Sequence, residues 1–382
     1  MDDDDRIIVE TAAGFAEKRL APHSLEWDAA KHFPVDVLRE SAALGIAAIY
    51  CREEVGGSGL RRLDAVRIFE ELAAADPTIA SFISIHNMCA WMIDSYGTPE
   101  QRKTWVPRLA SMDAIASYCL TEPGAGSDAS ALRTRAVRDG SDYVLDGVKQ
   151  FISGAGVSDV YVVMARTGSE GPRGISAFVV EKDTPGLSFG ANEAKMGWNA
   201  QPTAQVVFDK VRVPVDAMLG GPEGEGTGFG VAMNGLNGGR INIAACSLGG
   251  ARTAYRKSAE YVRDREAFGG SLLDEPTIRF TLADMATSLE TSRILLWRAA
   301  SALDVGSPDR VELCAMAKRY VTDACFEVAD QALQLHGGYG YLQEYGLEKI
   351  VRDLRVHRIL EGTNEIMRVV IGRAAAARAR AS

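Results

Sequence analysis

The spacing of apolar residues changes twice along the chain, and these two changes restrict the fold more than any other feature of the sequence. Up to about residue 112, apolar residues recur at helical spacing, as in the run Leu63, Val66 and Phe69. From there to about residue 217, the apolar segments are short and rich in β-branched and aromatic residues, which is typical of strands. The helical spacing then returns. This order predicts an α+β protein that is mostly α.

Three domains are predicted from this order: a helical N-terminal domain over 1–112, a middle β domain over 113–217 and a C-terminal helical bundle over 218–382. No helix of useful length separates the β segments, so the sheet should be mostly antiparallel. Turn clusters such as RDGSD and DGVK are expected to separate the strands. Two consecutive helices of roughly 30 residues, each about 45 Å long, indicate a large bundle in the last domain.

Two helix starts carry recognisable capping signals. Thr98 is predicted to be an N-cap, with Pro99 at the first helical position and Gln101 closing a capping box. Ser307 is predicted to cap the second long helix of the bundle, with Pro308 at its first position. Both signals predict where a helix begins.

The balance of charged residues argues against two classes of partner. The sequence has 42 basic and 51 acidic residues, a net charge of −9, so no general attraction to nucleic acid or to an anionic membrane is expected. No run of 18 apolar residues occurs, so no membrane-spanning helix is expected. The acidic start MDDDDR resembles neither a secretory signal nor a transit peptide, which predicts a cytoplasmic protein.

The six cysteines do not form a metal-binding pattern. No two of them have the C-x-x-C spacing, and histidine is rare, so no metal site is expected. Scattered cysteines in apolar segments are typical of reduced, buried thiols.

Two segments of the β domain have the composition of ligand-binding loops. YCLTEPGAGSDAS, Tyr118–Ser130, contains small residues that let backbone N–H groups approach a ligand, although composition alone favours a tight loop at a strand end. In KQFISGAG, Lys149–Gly156, Phe151 could offer its ring to a planar group and Ser153 its hydroxyl. Taken by itself, Phe151 is more typical of a strand residue in the core.

LNGGRINIA, Leu236–Ala244, places two glycines inside a predicted helix. Each glycine costs about 1 kcal/mol of helix stability relative to alanine, so Gly238 and Gly239 require a kink, close packing or the approach of a ligand. Arg240 beside them could hold an anion or an amide carbonyl, or it could form a salt bridge at the surface.

LQLHGGYGY, Leu333–Tyr341, ends a long helix with three glycines, and Gly337 is the expected stop. His336 is a possible acid or base there, but a single histidine at a helix end is more often structural.

RVHRILEGTNEIMR, residues 355–368, places Glu361 after two apolar residues and directly before Gly362. A buried acid is costly unless it is paired or neutral, so Glu361 is either a satisfied structural residue, a solvated charge at a helix end or a working base. Gly362 would leave room for a substrate beside it. Thr363 or Asn364 can cap the helix that follows.

Five segments together resemble the acyl-CoA dehydrogenase family in their order, in their spacing and over the whole chain: YCLTEPGAGSD, KQFISG, RDREAFG, QLHGGYGY and LEGTNEI. KMGWNAQPT, LNGGRINIA and RILEGTNEIMR are most similar to the branch that acts on isobutyryl-CoA. The resemblance implies a helical domain, a β-barrel-like middle domain and a C-terminal four-helix bundle. It also implies FAD between the last two domains and a homotetramer.

The resemblance further implies roles for individual residues, and Glu361 matches the catalytic base. The residues that match FAD contacts in the two loops and after Glu361 are Tyr118, Leu120, Thr121, Gly126, Ser127, Phe151, Ile152, Ser153, Thr363 and Glu365. Those that match FAD contacts across a subunit interface are Arg265, Phe268, Gln334, Gly337 and Gly338. Those that match substrate contacts are Ser127, Asn237 and Arg240, with Arg373 as a weaker match.

The implied reaction is the FAD-dependent α,β-dehydrogenation of a short branched acyl-CoA, with isobutyryl-CoA giving methacrylyl-CoA in valine breakdown. Glu361 would take the α-proton while the β-hydride passes to flavin N5, and an electron-transfer flavoprotein would accept the electrons. Hydrogen bonds to the thioester carbonyl would stabilise the developing enolate. Closure of an apolar pocket would raise the pKa of Glu361 towards the working pH.

Three positions depart from the pattern of many relatives. Pro276 replaces a glutamine that contacts FAD, Phe151 replaces a tryptophan, and Asn237 replaces an aspartate that contacts CoA. Alternative functions are dehydrogenation of 2-methylbutyryl- or butyryl-CoA, an oxygen-using acyl-CoA oxidase or flavin monooxygenase, and a non-enzymatic protein of the same fold.

Overall fold

The computed structural model describes residues 3–381 and has helices at both ends of the chain with a sheet between them. The N-terminal helices are α1 Asp3–Phe15, α2 Ser24–Ala30, α3 Val35–Ala42, α4 Arg62–Ala75, α5 Pro77–Tyr96 and α6 Pro99–Ala110. The predicted capping box at α6 is confirmed, because Thr98 Oγ1 accepts from the Gln101 N–H and Gln101 Oε1 accepts from the Thr98 N–H.

The middle of the chain forms one sheet with strands β1 Ala116–Cys119, β2 Arg135–Asp139, β3 Asp142–Ser153, β4 Val160–Arg166, β5 Ile175–Glu181, β6 Leu187–Phe189 and β7 Thr203–Pro214. The strand order is β1-β4-β2-β3-β7-β6, with β5 paired to β4. Only the pairs of β4 with β1 and β2 are parallel among the described residues. The prediction of a mostly antiparallel sheet is therefore confirmed.

The prediction of a turn at DGVK is wrong. β3 runs unbroken through this segment, and its register against β7 shifts between Leu145 and Gly147. A Cβ atom at Gly147 would lie 2.5 Å from Thr134 Oγ1. The glycine therefore marks a bulge where a neighbouring segment comes close, rather than a reversal of the chain.

The C-terminal part is helical again. Its helices are α7 Gly228–Asp264, α8 Pro276–Asp304, α9 Arg310–Leu335, α10 Leu347–Arg355 and α11 Asn364–Ala381, and a small hairpin of β8 Glu266–Ala267 and β9 Gly270–Ser271 connects α7 to α8. Gly337 follows α9 with φ +56°, as the predicted stop requires.

The predicted cap of α9 is wrong. The helix begins at Arg310, and Pro308 lies in the turn before it. The Ser307 hydroxyl donates to the Asp309 carboxylate instead of accepting from a backbone N–H group of the helix. A short polar side chain two residues away can compete for a capping hydroxyl in this way.

One large hydrophobic core joins the N-terminal helices to the C-terminal bundle. It includes Leu72 of α4, Leu248 of α7, Leu296 of α8 and Val321 of α9. Two further cores lie between α5, α7 and the sheet, and within the sheet itself. All six cysteines are free and buried, which confirms the prediction for them. Within residues 3–381, no helix is both long and apolar enough to cross a membrane.

Candidate active site

Glu361 lies in the short connection between α10 and α11, where the backbone is in the left-handed region at two successive residues. The φ angles are +55° at Glu361 and +89° at Gly362. A Cβ atom at Gly362 would lie 2.7 Å from the Met367 Cε atom. The flexible end of the Met367 side chain could shift, so it is mainly the left-handed backbone conformation that favours glycine here, whether or not a substrate also needs the space.

The Glu361 carboxylate is buried although the residue as a whole is only partly covered. Its Oε2 atom is inaccessible to solvent and has no hydrogen-bond partner among residues 3–381. Burial raises the pKa of Glu361 to about 8, against the opposing positive charges of Arg240 and Lys318. The interpretation as a solvated charge at a helix end is wrong. A satisfied structural carboxylate is also a poor description, since one oxygen is unpaired.

Arg240 approaches Glu361 from α7 and is itself buried. Its Nε–H donates to the Glu361 carbonyl oxygen at 3.3 Å, and its Nη1–H donates to Asn237 Oδ1 at 2.8 Å. Both Arg240 and Asn237 are at most 5% exposed. Desolvation lowers the pKa of Arg240, and the nearby Glu361 counteracts this effect. The interpretation of Arg240 as a surface salt-bridge residue is therefore wrong.

The two glycines of α7 are explained by close packing on adjacent faces of the helix. A Cβ atom at Gly239 would lie 2.4 Å from Oε2 of Glu361. A Cβ atom at Gly238 would lie 2.5 Å from Nη1 of Arg62, whose guanidinium stacks 3.5 Å from the Tyr50 ring centroid. Of the three explanations considered for these glycines, close packing accounts for both.

The end of β1 brings the first predicted flavin loop next to the second one. The backbone N–H of Gln150, directly before Phe151, donates to the Thr121 carbonyl at 2.8 Å. Leu120 is buried, and the Tyr118 hydroxyl is buried without a hydrogen-bond partner in the described part of the chain. Burial raises the pKa of Tyr118, and the charge of Glu361 contributes to the shift. The end of β1 therefore lies within electrostatic range of Glu361.

Phe151 is not a core residue. Its side chain is 63% exposed, and its φ angle of +58° is uncommon for an aromatic residue. Its neighbour Ile152 is buried, and Ser153 is partly buried. An exposed aromatic ring held on a strained backbone is typical of a binding site rather than of a sheet interior.

The loop after β1 combines an exposed tip with a fixed base. Gly126 and Ser127 are exposed. At the base, the buried Glu122 carboxylate accepts from the Lys149 ammonium at 2.7 Å and from the Thr134 N–H at 2.9 Å. The segment is therefore a tight loop at a strand end, as its composition predicts. Its tip is exposed, so the backbone there is also accessible to a ligand.

A second group of predicted FAD residues lies on the surface, apart from Glu361. Arg265, Gly337 and Gly338 line one open pocket of about 470 Å³. Gln334 is exposed, and Phe268 is 93% exposed. His336 lies beneath this pocket, with Nδ1 2.8 Å from the Ala332 carbonyl and its ring stacked on Tyr261, which supports the structural interpretation of this histidine.

The remaining predicted residues follow Glu361 or begin α8. Thr363, not Asn364, caps α11, because its Oγ1 accepts from the Ile366 N–H at 3.3 Å. Glu365 and Arg373 are exposed on α11. Pro276 occupies the first turn of α8 and is exposed.

Two buried residues near Glu361 are missing from the sequence prediction. Lys318 of α9 is fully buried and donates to the Gly362 carbonyl at 2.7 Å. His357 is fully buried, and its Nδ1 lies 2.7 Å from the Ser247 hydroxyl. Helical spacing could have identified Lys318, since Cys314 and Val321 place it on the apolar face of α9.

Comparison with known protein families agrees with the order of helices, sheet and helices along the chain. Three domain models match the chain: acyl-CoA dehydrogenase, N-terminal domain, over residues 2–113, middle domain over 117–211, and C-terminal domain over 226–376. Together they span most of the sequence.

Known proteins resemble the chain along nearly its whole length. It is 54% identical to the mitochondrial isobutyryl-CoA dehydrogenase of Dictyostelium discoideum, over 97% of this chain and 89% of that protein. It is 52% identical to the mitochondrial isobutyryl-CoA dehydrogenase of Bos taurus, over 95% of this chain and 87% of that protein.

Solved structures agree as well. The butyryl-CoA dehydrogenase of Megasphaera elsdenii superposes with a TM-score of 0.94 at 38% identity, covering 98% of both chains. A glutaryl-CoA dehydrogenase of Mycobacterium smegmatis in complex with FADH2 superposes with a TM-score of 0.92 at 31% identity, covering 98% of this chain and 95% of that one. With its three domains, its buried Glu361 carboxylate and these relatives, the chain belongs to the acyl-CoA dehydrogenase family.

Proposed function

We propose that this enzyme removes the α-proton and β-hydride of a short branched acyl-CoA, with isobutyryl-CoA as the first candidate and methacrylyl-CoA as its product. The buried, unpartnered Oε2 atom of Glu361 is the observation that carries the proposal. Identity of 52–54% to two isobutyryl-CoA dehydrogenases supports the branched substrate. A role in valine breakdown is part of the same proposal.

The cofactor is FAD, and when bound it supplies the acceptor for the substrate's β-hydride. The chain offers suitable surfaces for it. The exposed Phe151 ring provides a flat apolar face, and the exposed backbone at Gly126 and Ser127 is free to approach polar atoms. The unpartnered Tyr118 hydroxyl lies at the inner end of the same loop.

Glu361 is suited to take a weakly acidic proton. The carboxylate is desolvated, and its pKa of about 8 makes the ionised form a stronger base than an exposed glutamate. Since Oε2 makes no hydrogen bond to any residue that the structure describes, it could accept the α-proton without breaking such a contact. Asn237 and Arg240, buried beside this loop, are proposed to contact the CoA part of the substrate, with Ser127 and Arg373 as further contacts.

The surface pocket at Arg265, Gly337 and Gly338 supports a second proposal. These residues, with Phe268 and Gln334, would contact FAD bound to a neighbouring subunit, which requires an oligomer such as a homotetramer. Their exposure in the single chain fits this arrangement. The electron acceptor is proposed to be an electron-transfer flavoprotein. The cytoplasmic location stays a prediction, and both isobutyryl-CoA dehydrogenases described above are mitochondrial proteins.

A panel of thioesters tests the proposed substrate. Purified enzyme is mixed without oxygen with isobutyryl-, 2-methylbutyryl-, butyryl- and octanoyl-CoA, and the bleaching of the flavin absorbance is followed by stopped flow. Isobutyryl-CoA is expected to bleach the flavin fastest. Faster bleaching by butyryl- or 2-methylbutyryl-CoA would move the assignment to that substrate, and no bleaching by any of the four would refute the proposed reaction. Peroxide release in air without an added acceptor would instead indicate an oxidase.

A further inference from the structure

Lys318, near the candidate active site, differs from the other buried lysines in its lack of a carboxylate partner among the described residues. Its side chain is fully buried in α9. The other two fully or nearly fully buried lysines have carboxylate partners: Lys149 lies 2.7 Å from Glu122, and Lys349 lies 2.7 Å from Asp353. Within residues 3–381, Lys318 has no carboxylate within salt-bridge distance. A buried ammonium without such a partner is costly, so its location requires an explanation.

The hydrogen bonds of Lys318 lead directly to the catalytic connection. Its Nζ donates to the Gly362 carbonyl at 2.7 Å and to Asn364 Oδ1 at 2.9 Å. The Asn364 amide in turn donates to Thr322 Oγ1 at 3.0 Å and to Asp323 Oδ1 at 2.9 Å. Lys318 and its neighbours on α9 therefore hold the chain immediately after Glu361.

Two buried cations hold two successive carbonyl groups. Arg240 of α7 donates to the carbonyl of Glu361, and Lys318 of α9 donates to the carbonyl of Gly362. Glu361 and Gly362, which carry these two carbonyl groups, both have left-handed φ angles. A non-glycine residue such as Glu361 persists in this conformation only where its surroundings enforce it. The two hydrogen bonds, one from α7 and one from α9, hold the backbone in this conformation.

We propose that Lys318 is a positioning residue that aims the Glu361 carboxylate by fixing the Gly362 carbonyl and that favours the ionised carboxylate through its positive charge. This inference rests on the proposed function, since it takes Glu361 to be the base. It assigns Lys318 no contact with substrate or cofactor.

The charges around Glu361 and Lys318 give the sign of the expected effect. The groups coupled electrostatically to one or both of them are Arg240 and Cys246 on α7, Tyr118 on β1, Asp323 on α9, His357 before Glu361 and Glu365 on α11. Burial raises the pKa of Glu361, and the positive charge of Lys318 opposes this rise. Removing that charge should therefore raise the pKa of Glu361 further. Since only the ionised carboxylate acts as a base, the acid limb of the pH–rate profile should move to higher pH.

Two substitutions separate the charge of Lys318 from its hydrogen bond. Lys318→Gln removes the charge and keeps an N–H donor, so the acid limb of kcat/KM should move to higher pH while the rate at the high-pH plateau is largely retained. Lys318→Met removes both, so the limb should move and the plateau should also fall, by about 10²-fold for a misplaced base. The pKa of Glu361 is also measured directly, from its carboxyl infrared band, with Glu361→Gln as the blank.

Lys195 offers a matched control. Its Nζ also donates to a backbone carbonyl, of Gln201 at 2.7 Å, and to a side-chain oxygen, of Thr203 at 3.0 Å. Burial lowers the pKa of Lys195 and of Lys318 alike to about 8. Lys195 is only partly buried, but Lys195→Gln should likewise remove a hydrogen-bonded, partly desolvated lysine and leave the acid limb and the infrared band of Glu361 unchanged.

The outcomes are distinct. A folded, FAD-containing Lys318→Gln variant with the wild-type acid limb and infrared pKa would overturn the inference, as would an equal shift in Lys195→Gln. If Lys318→Gln does not fold, Lys318→Arg decides the question: it keeps the charge, and a limb displaced to higher pH would contradict the account, while an unchanged limb supports it. Failure of the proposed function looks different, because Glu361→Gln would then retain turnover.

Discussion

The surroundings of Glu361 and the surface pocket at Arg265 both contain glycines, but the structure accounts for a small residue in only one of these two regions. At Gly239 on α7, a Cβ atom would lie 2.4 Å from the Glu361 carboxylate. At Gly338 in the surface pocket, no described residue other than its two chain neighbours has an atom within 4 Å of the position of a Cβ atom. The first glycine is required by contacts inside the chain, and the second is not.

This difference separates two kinds of requirement. Around Glu361 the chain itself provides the close contacts: the carboxylate packs on Gly239, and Arg240 and Lys318 bond the adjacent carbonyls. Around Gly338 the surface is open, and any need for a small residue there has to come from a ligand or another subunit. Substitutions in the first region should impair chemistry in the single chain, whereas those in the second should affect FAD binding or assembly.

Gly239→Ala should cause the largest loss among the substitutions that test this contrast. The added methyl group would displace the Glu361 carboxylate, and an error of about 1 Å in the position of a reacting group costs about 10²-fold in rate. Alanine is a better helix former than glycine, so α7 itself should not be weakened. The measurement is kcat with isobutyryl-CoA at matched FAD content, and wild-type turnover would contradict the close packing of Glu361 on α7.

The pH dependence of turnover should reveal the buried state of Glu361. Its pKa is raised to about 8, and as the proposed base it would act only when ionised. The value of kcat/KM should therefore rise as the pH increases through about 8, and it should fall about tenfold for each pH unit well below that limb. A profile that is flat between pH 6 and 9 would show that this carboxylate does not control the rate.

Gly238→Ala should have a smaller effect than its neighbour. The new methyl group would meet the guanidinium end of Arg62, a flexible group that can shift at the cost of its stacking on Tyr50 and Trp91. The expected result is a change of no more than about 1 kcal/mol in the free energy of unfolding, measured in urea, because the better helix propensity of alanine offsets part of the lost stacking, with most of the turnover retained. A loss of turnover equal to that of Gly239→Ala would remove the distinction between the two faces of α7.

Gly338→Ala should leave the polypeptide almost unchanged. With no clash inside the chain, the free energy of unfolding of the FAD-free protein should stay within about 1 kcal/mol of the wild type. FAD dissociation, followed by the recovery of flavin fluorescence on dilution, should become faster if the pocket contacts the cofactor of another subunit. Unchanged FAD affinity would count against that use of the pocket.

The sequence was sufficient to predict features with local causes. The change from helical to strand spacing located the sheet, and Thr98 with Gln101 located the start of α6. The prediction at Ser307 was wrong because Asp309 takes its hydroxyl, a competition that composition does not reveal.

Features that depend on distant parts of the chain were not predictable in the same way. Local composition favoured a core position for Phe151 and left a solvated helix end open for Glu361. The strained backbone at Phe151 and the packing of α7 against Glu361 reverse both interpretations. Helical spacing places Lys318 on the apolar face of α9, but its contact was not predictable because the carbonyl that it bonds lies 44 residues further along the chain. The family resemblance pointed to Phe151 and Glu361 before the structure gave the physical reasons.

The most direct test of the central claim compares the wild-type enzyme with Glu361→Gln in a single turnover. Both proteins are loaded with equal FAD and mixed with isobutyryl-CoA without oxygen, and the rate of flavin bleaching is recorded at pH 8. Because glutamine keeps the shape but cannot accept the α-proton, the rate should fall by at least about 10²–10⁴-fold, the usual contribution of a general base, while FAD content and substrate binding remain. Bleaching at the wild-type rate in Glu361→Gln would contradict the assignment of Glu361 as the base.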